Sequence, residues 1–455
     1  MKKVAIGGGQ GFWGDSPDAA VHMINTADIQ YMACDYLAEL TLSIMAKQQL
    51  KDPGKGFAPD FVTRILRGAG KTAWERKIRL ITNAGGMNVS GCVDSIRQWA
   101  ESEKLDGYKI GYVTGDDIKA KIPHLLKEGW KFPNFDYDGD FNDIVDKIYN
   151  CNAYIGHEGI EACIAQGADT VITGRAADSA LFMAPLKYEF GWAADDWDNL
   201  ARGIMAGHLL ECGGQGAGGN YMYDWRNVPR MDELGFPIAE LTEDTFELTK
   251  APDCGGVICE QSTKEQFLYE VLDPANYVTP DVAVDVSGAT IRQVGQDRVR
   301  IDGIKGKEKP DTLKLCVGYH KGWKTVSMLS FAWPDAYEKA KYCAEVIMKK
   351  MARIGMHADD VHISYIGLNS LHLNVADTSE EALKNLNECV LRIAVFSEDK
   401  NECAKIIPEI SPLQLNGPPG ASFFGGRAHV QEVMALWPTS VPRDAVDIQS
   451  HVITV

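Results

Sequence analysis

The first half of the sequence repeats one local pattern, and this pattern constrains the fold more than any other feature. A short apolar run is followed by a turn rich in Gly, Asn or Asp, and then by a stretch with helical periodicity. The apolar runs cover residues 4–9, 29–35, 78–86, 109–117, 152–159 and 169–178. Strands that alternate with helices indicate βαβ units. We therefore predict an α/β fold with a largely parallel, doubly wound sheet.

From about residue 255 the pattern changes. Residues 282–306 alternate apolar and polar side chains between Gly and Asp turns, which indicates a β-meander. Residues 312–333 indicate two more strands, 335–356 an amphipathic helix and 360–368 another strand. Strands and helices grouped in this way predict a smaller α+β domain.

The length of the chain fits this division into domains. Its 455 residues suggest two or three domains, and we place an α/β domain at 1–250 and the α+β domain at 251–455.

A net charge of −17 argues against nucleic acid and anionic membrane surfaces as partners. No apolar stretch approaches the roughly 20 residues that span a bilayer. The 11 scattered cysteines include no CxxC pair, which predicts reduced thiols in a cytoplasmic protein.

Polar side chains follow the ends of these predicted strands. Because right-handed crossovers bring the carboxyl ends of parallel strands to one edge, ligands of such sheets bind there. Each residue alone is more often a turn or cap residue than a catalyst. The shared edge nevertheless makes a group of them a candidate site. The group includes Asp15, Asp35, Asn83, Asp116, Asp117, His157, Glu158, Arg175 and Asp178.

The first turn contains Gly9-Gln10-Gly11-Phe12-Trp13-Gly14, a GxGxxG directly after a strand, with Asp35 about 20 residues further on. This pattern is typical of NAD binding. Ser16 and Pro17 form a strong helix start, however, which moves the helix away from the pyrophosphate position. We therefore disfavour NAD and favour a tight turn that presents Asp15; no cofactor is predicted.

Two later turns carry candidate binding residues. In "TNAGGMN" the Asn83 amide leaves a strand, and Gly85 allows backbone N–H groups to approach a ligand. In "GRAADSALF" Arg175 is placed to grip a carboxylate or phosphate through a bidentate fork. The alternatives are a plain turn at Asn83, and an Asp178 that caps the next helix or pairs with Arg175.

The stretch "AGHLLECGGQGAGGNY" carries the candidate catalytic pair. On a helix, His208 shares a face with Glu211 and Cys212. The glycines at 213 and 214 predict the helix end, where the negative dipole disfavours a thiolate and favours a protonated His. His208 and Glu211 therefore suit acid/base work, and Cys212 suits packing. The glycine-rich loop with Gln215 and Gly216 is expected to cradle an anion; a mere helix stop is the alternative.

The chain resembles the acyclic terpene utilisation AtuA family. The resemblance lies in stretches such as "GFWGDSPDAA", "ITNAGGMN", "ADTVITGRAADSALFMAPL" and "FGWAADDWDNLARGIMAGHLLECGGQGAGG", in order from about residue 4 to 330. It implies catabolism of branched carboxylic acids or their CoA thioesters. It also implies a small ferredoxin-fold companion subunit and a homo- or hetero-oligomer. Relatives usually carry a small residue at the position of His157. The family's characteristic positions are Asp15, Asn83, Arg175, Asp178, His208, Glu211 and Gln215.

Together these observations predict a hydro-lyase that acts on a small anionic carboxylate or acyl-CoA. His208 and Glu211 would be the acid/base pair, with Asp15 or Asp178 assisting. The substrate would be held by Asn83, Gly85, Arg175, Gln215, Gly216 and His157. Thioester hydrolysis or acyl transfer through Cys212 and a non-catalytic acyl-CoA-binding subunit are the alternatives. A divalent metal held by residues of different strands stays open, since the spacing shows no metal signature.

Overall fold

The computed structural model describes residues 2–455, which combine strands and helices throughout. The strands are β1 (Val4–Gln10), β2 (Tyr31–Cys34), β3 (Arg79–Thr82), β4 (Lys109–Thr114), β5 (Ile148–Ala153), β6 (Thr170–Thr173), β7 (Pro237–Leu241), β8 (Phe246–Lys250), β9 (Tyr277–Val278), β10 (Ala283–Asp285), β11 (Thr290–Gly295), β12 (Arg298–Asp302), β13 (Lys305–Lys307), β14 (Thr312–Ala332), β15 (Asp360–Ile366), β16 (Glu388–Ser397), β17 (Ser422–Phe423), β18 (Val430–Pro442) and β19 (Gln449–Thr454).

The helices alternate with the strands in the first half, as the periodicity predicts. A π-helix over Phe61–Gly70 continues directly into the third α-helix. The α-helices are α1 (Pro17–Thr26), α2 (Glu39–Lys51), α3 (Lys71–Glu75), α4 (Val89–Glu103), α5 (Ile122–Lys127), α6 (Glu158–Ala165), α7 (Ala180–Phe190), α8 (Trp197–Leu210), α9 (Glu260–Leu268), α10 (Ala336–Arg353), α11 (Glu380–Lys384), α12 (Lys400–Lys405), α13 (Ile407–Ile410) and α14 (Leu413–Asn416).

A 10-stranded mixed sheet forms the centre of the fold, in the order β11-β12-β8-β7-β1-β2-β3-β6-β4-β19. The strands β1, β2, β3, β6 and β4 are parallel neighbours, as the βαβ pattern predicts. The outer strands β7, β8, β12, β11 and β19 pair antiparallel. The α/β content is therefore confirmed, but the sheet is mixed rather than largely parallel. Short turns such as those of the β7–β8 and β11–β12 hairpins permit only antiparallel pairing.

One of the six predicted strands lies outside this sheet. The strand expected at 152–159 overlaps β5 (Ile148–Ala153) only at residues 152 and 153, and the rest of that run is loop and the start of α6. β5 pairs antiparallel with the first part of β14. The two strands expected at 312–333 are one continuous strand, β14. Periodicity marks a strand but does not identify its partner, so the pairing of β5 was not accessible from the sequence.

The chain forms two compact units. One comprises residues 2–319 with 436–455, and the other comprises residues 320–435. The boundary expected at residue 250 falls inside the first unit, because β7 and β8 continue the sheet from β1 to β12. In the second unit, α10 packs on β16, and the buried core includes Leu329, Ile347 and Leu391.

No helix within residues 2–455 combines the length and the apolar character that a bilayer crossing requires.

Candidate functional site

A cavity of about 730 Å³ in the first unit, here called the main cavity, lies where several strands of this unit end. The residues after β2 and β6 form one side of it, and the segment around β9 forms another. Its polar lining includes Glu39, Tyr154, Arg175, Asp178, Ser179, Glu211, Glu270, Tyr277 and Lys314. Three of the predicted site residues, Arg175, Asp178 and Glu211, are thus brought together. This location agrees with the rule for ligand sites in α/β sheets.

The Arg175 side chain is held in place by burial, by hydrogen bonds and by an aromatic ring. Its side chain is 1% exposed. Nη2 donates to Asp178 Oδ1 at 2.5 Å, and Nη1 donates to the carbonyl oxygen of Leu37. The guanidinium lies 4.1 Å from the ring centroid of Tyr154. Nη1 and Nη2 are therefore both engaged within the protein, and the buried Nε has no hydrogen-bond partner among residues 2–455.

A second cation, Lys314, stands beside the same aromatic ring. Its Nζ lies 4.9 Å from the ring centroid of Tyr154 and 2.7 Å from Glu39 Oε1. The Tyr154 hydroxyl donates to the same carboxylate at 2.5 Å. Burial raises the pKa of Glu39, but Lys314 outweighs burial and leaves that pKa below its usual value. Glu39 is therefore ionised at neutral pH and is paired with Lys314.

Glu211 faces the main cavity, and His208 lies behind it. Nδ1 of His208 is 3.0 Å from Glu211 Oε1, and both side chains are buried. The His208 ring lies 5.5 Å from the ring of Tyr277, and its Nε2 has no protein partner. The helix α8 ends at Leu210, three residues before Gly213, so Glu211 directly follows the last helical turn. The i, i+3 spacing does form the predicted pair.

Electrostatics favour a proton on this pair. Burial lowers the pKa of His208, but the hydrogen bond and charge of Glu211 outweigh burial and place that pKa above 6.5. Burial raises the pKa of Glu211 despite the hydrogen bond with His208. Because both shifts favour the protonated forms, the pair holds its proton to a higher pH than an isolated imidazole or carboxyl group would.

Asn83 lies behind the cavity wall rather than in it. Its Oδ1 accepts the backbone N–H of Tyr36 at 2.7 Å, and its Nδ2 donates to Asp35 Oδ1 at 2.6 Å. Burial and the charge of Asp178 raise the pKa of Asp35 well above its usual value. A Cβ at Gly85 would lie 2.6 Å from the carbonyl oxygen of Thr173, so this glycine permits close packing of two strand ends. Both residues therefore contact protein groups in this structure.

Asp15, Gln215 and Gly216 lie away from the main cavity. Asp15 and Gln215 line a second cavity of about 900 Å³. The Asp15 carboxylate accepts the backbone N–H groups of Gly11 at 2.9 Å and Ser16 at 2.7 Å. Gln215 donates to Gln266 Oε1 at 2.8 Å. A Cβ at Gly216 would lie 2.3 Å from a backbone carbonyl oxygen of α8.

Cys212 also lines the second cavity, next to Glu211 in the chain but separated from the main cavity. Burial and the charge of Glu211 raise the pKa of its thiol. A raised pKa keeps the thiol protonated and therefore poorly nucleophilic. This geometry disfavours the alternative of covalent catalysis through Cys212.

His157 is buried behind the segment that follows β9. Its backbone N–H and its Nδ1 contact Asp281 Oδ1 at 3.1 and 2.7 Å. Burial lowers the pKa of His157, but Asp281 outweighs burial and raises it above its usual value. Ligand atoms of His157, Glu158 and Asp281 lie within 4.8 Å of one another, which is close enough for a shared metal ion. Nζ of Lys309 lies 3.3 Å from Oε1 of Glu158 and forms an ion pair with it.

Sequence reasoning missed five residues that line the main cavity, namely Glu39, Tyr154, Glu270, Tyr277 and Lys314. They were not among the predicted strand-end residues. Asp116, which its position after β4 did place in the predicted group, is buried and accepts the backbone N–H of Arg175 at 2.8 Å. Burial raises the pKa of Asp116 to about 6.

These features define an α/β protein with a charged cavity at the carboxyl ends of parallel strands. The model of the acyclic terpene utilisation family protein AtuA matches residues 4–452, and the chain belongs to this family. Comparisons with curated proteins and with solved structures give no match.

Proposed function

We propose that this chain is a catabolic enzyme that adds water to, or removes water from, a carboxylic acid or its CoA thioester. The proposal builds on the family's role in acyclic terpene utilisation. The observation that carries it is the buried His208–Glu211 hydrogen bond, whose Glu211 end faces the main cavity beside Asp178. Proton transfer to and from a bound molecule requires such a pair.

The chemistry assigns different tasks to the two carboxyl groups. In the dehydration direction, Asp178 takes the proton from the carbon next to the carbonyl group. Glu211, supported by His208, donates a proton to the departing hydroxyl group, so that the C–O bond breaks and water leaves. Hydration reverses each step. Asp15 has no part in these steps, because it lines the second cavity.

The cations of the main cavity stabilise negative charge on the substrate. The contacts of Nη1 and Nη2 fix the guanidinium of Arg175, and Lys314 lies near the same Tyr154 ring. Donors that are fixed before the reaction stabilise an enolate oxygen without reorganisation. The Asp116 carboxylate positions Arg175 by accepting a hydrogen bond from the backbone N–H group of Arg175.

The test is turnover by the purified chain in water enriched in heavy oxygen. The substrates are short branched unsaturated acids, their hydroxylated counterparts and the CoA thioesters of both. We expect incorporation of heavy oxygen into at least one of them. His208→Gln and Glu211→Gln should each reduce the rate by about 10²-fold or more, which is the typical contribution of acid/base catalysis.

His124→Gln is the matched control, because His124 is 71% exposed and lies outside the main cavity. It should retain the wild-type rate. Wild-type rates in His208→Gln and Glu211→Gln, with folding confirmed by circular dichroism, would refute the proposed roles. Failure of the isolated chain to turn over any of these substrates would favour a non-catalytic binding subunit.

A further inference from the structure

Three side chains that can bind a metal meet outside the main cavity, although they come from two distant segments. His157 and Glu158 stand at the start of α6, and Asp281 lies three residues after the end of β9. Ligand atoms of all three lie within 4.8 Å of one another. None of the three is among the residues that line the main cavity. They form a separate group, here called the histidine–carboxylate cluster.

Asp281 and His157 hold each other in a fixed geometry inside the protein. The Asp281 side chain is 0% exposed, and that of His157 is 8% exposed. Asp281 Oδ1 lies 2.7 Å from His157 Nδ1 and also accepts the backbone N–H of His157 at 3.1 Å. Asp281 therefore caps the amino end of α6. This capping role uses only one of its two oxygens.

The second oxygen of Asp281 indicates that a ligand belongs here. Oδ2 is buried and has no hydrogen-bond donor among residues 2–455. A buried acceptor without a donor destabilises the folded protein, and the cost is larger when the group carries a charge. A cation coordinated by the carboxylate would remove this cost, because it can engage either oxygen of the group.

The Glu158 carboxylate approaches the same point. A Cβ at Gly156 would lie 2.1 Å from Asp281 Oδ1 and 3.0 Å from Glu158 Oε2, so the absence of a side chain at Gly156 lets the two carboxylates converge. Like charges repel at this distance, and a cation between them turns the repulsion into attraction. Lys309 contacts the other oxygen of Glu158, Oε1, and this leaves Oε2 on the side of Asp281.

The spacing of the cluster suits a divalent transition metal. With metal–ligand distances of about 2.1 Å, two ligands of a tetrahedral ion lie about 3.4 Å apart. The 2.7 Å contact between His157 Nδ1 and Asp281 Oδ1 and the 4.8 Å limit for the whole cluster bracket this separation. An imidazole ligand favours ions such as Zn²⁺, whereas Mg²⁺ and Ca²⁺ prefer oxygen ligands alone.

We propose that His157, Glu158 and Asp281 bind a divalent transition-metal ion of the zinc type, which joins the start of α6 to the segment after β9. The ion takes the place of the proton between Nδ1 and Oδ1, and this proton passes to water. Thr279 and Pro280, directly before Asp281, line the main cavity, so the ion fixes this part of the cavity wall. The inference does not depend on the proposed reaction, and its test uses no turnover.

The test measures zinc binding by the full-length chain after a chelator has removed bound metals. Isothermal titration calorimetry with zinc chloride is performed in the presence of millimolar Mg²⁺, which occupies isolated surface carboxylates. We expect one zinc ion per chain with a dissociation constant of about 1 μM or lower. Zinc should also raise the unfolding temperature, because it binds the folded chain. Anomalous scattering from a zinc-soaked crystal should give a peak between the three side chains.

Glu158→Gln keeps the size of an exposed side chain and should weaken zinc binding about tenfold or more, as should His157→Ala and Asp281→Asn. His124→Gln is the matched control, because His124 also lies beside a carboxylate, 3.3 Å from Glu128, but at the surface. It should retain the wild-type affinity.

The proposal is overturned if the chain binds no zinc at micromolar concentration, if the anomalous peak lies elsewhere, or if folded Glu158→Gln binds zinc as tightly as the wild type. Circular dichroism checks the fold of each variant. Glu158→Gln decides the question if the two buried substitutions prevent folding, since its side chain is exposed.

Discussion

Glu211 and His208 show how two residues three positions apart can form a proton-holding pair. The sequence indicates the pair through its i, i+3 spacing, and the 3.0 Å contact follows from the last turn of α8. The sequence does not show which of the two side chains faces the cavity, because the cavity is formed together with segments that are distant in the chain. Glu270, Tyr277 and Lys314 join Glu211 around the main cavity only in the folded chain, and no strand-end turn marks them in the sequence as site residues.

The pair should make stability depend on pH. Because the pKa values of His208 and Glu211 are both raised in the folded state, their stabilising contribution is complete at low pH. The contribution of Glu211 begins to be lost above about pH 4.5 and that of His208 above about pH 6.5, as the pH passes through their folded pKa values. In Glu211→Gln the hydrogen bond and the charge of Glu211 are lost, so burial is opposed only by Glu270 and a hydrogen bond with Gln266, and the pKa of His208 falls. The difference in unfolding free energy between wild type and Glu211→Gln should therefore shrink from pH 6 to pH 9.

Denaturant unfolding at a series of pH values measures this difference, with Glu101→Gln, at an exposed position of α4, as the variant that should show a constant offset. A wild-type advantage that grows with pH would contradict the assigned directions of the pKa shifts.

At the scale of elements, the glycine-rich segment after α8 serves close packing. A Cβ at Gly8 of β1 would lie 2.6 Å from the carbonyl oxygen of Leu210, and one at Gly216 would lie 2.3 Å from that of Leu209. The sequence indicates a loop that must approach something closely, and the expectation was an anion. In the structure the approached group is backbone of the same chain. Glycine content alone does not distinguish these partners.

Gly216→Ala should therefore destabilise the ligand-free protein. A forced backbone contact costs about 1–3 kcal/mol, as overpacked sites do. Chemical denaturation without ligand measures the effect. Gly295→Ala is the control, because the nearest atom to its Cβ would be 3.6 Å away. Unchanged stability of Gly216→Ala combined with weaker ligand binding would instead support the anion cradle.

For the central sheet, the positions of most strands could be predicted from the sequence, but the pairing of the edge strands could not. Five of the six apolar runs of the first half contain a strand of the central sheet, and the run at 152–159 overlaps β5 at two residues only. Ser16 and Pro17 do begin α1. The parallel centre follows from the βαβ pattern. The antiparallel strands at both edges come from distant hairpins and from β19 near the carboxyl end. Local periodicity does not contain such pairings.

At the scale of the whole molecule, the chain has two units with separate cores. The residues 320–435 bury Leu391 within their own cluster, while the main cavity is lined by residues of the first unit. The sequence indicates an α+β region in the second half, but the hydrophobic pattern does not reveal that β7 to β13 join the first unit.

Leu391→Ala should destabilise the second unit by about 2–5 kcal/mol, as large-to-small substitutions in cores do. Ligand affinity at the main cavity should remain at the wild-type value. Differential scanning calorimetry with and without ligand measures both effects. Leu371→Ala, at a position that is 88% exposed, should leave both unchanged. Loss of ligand affinity in Leu391→Ala would show that the second unit contributes to the site.

The central claim is that the main cavity, with Glu211 and Arg175 in its wall, is where the substrate binds. The most direct measurement is a crystal structure with a carboxylic acid or CoA thioester that the chain turns over. We predict a ligand in the main cavity, with atoms within about 3 Å of the Glu211 carboxyl group and of Arg175 Nε. A ligand bound instead in the second cavity, against Asp15 and Gln215, would contradict the claim.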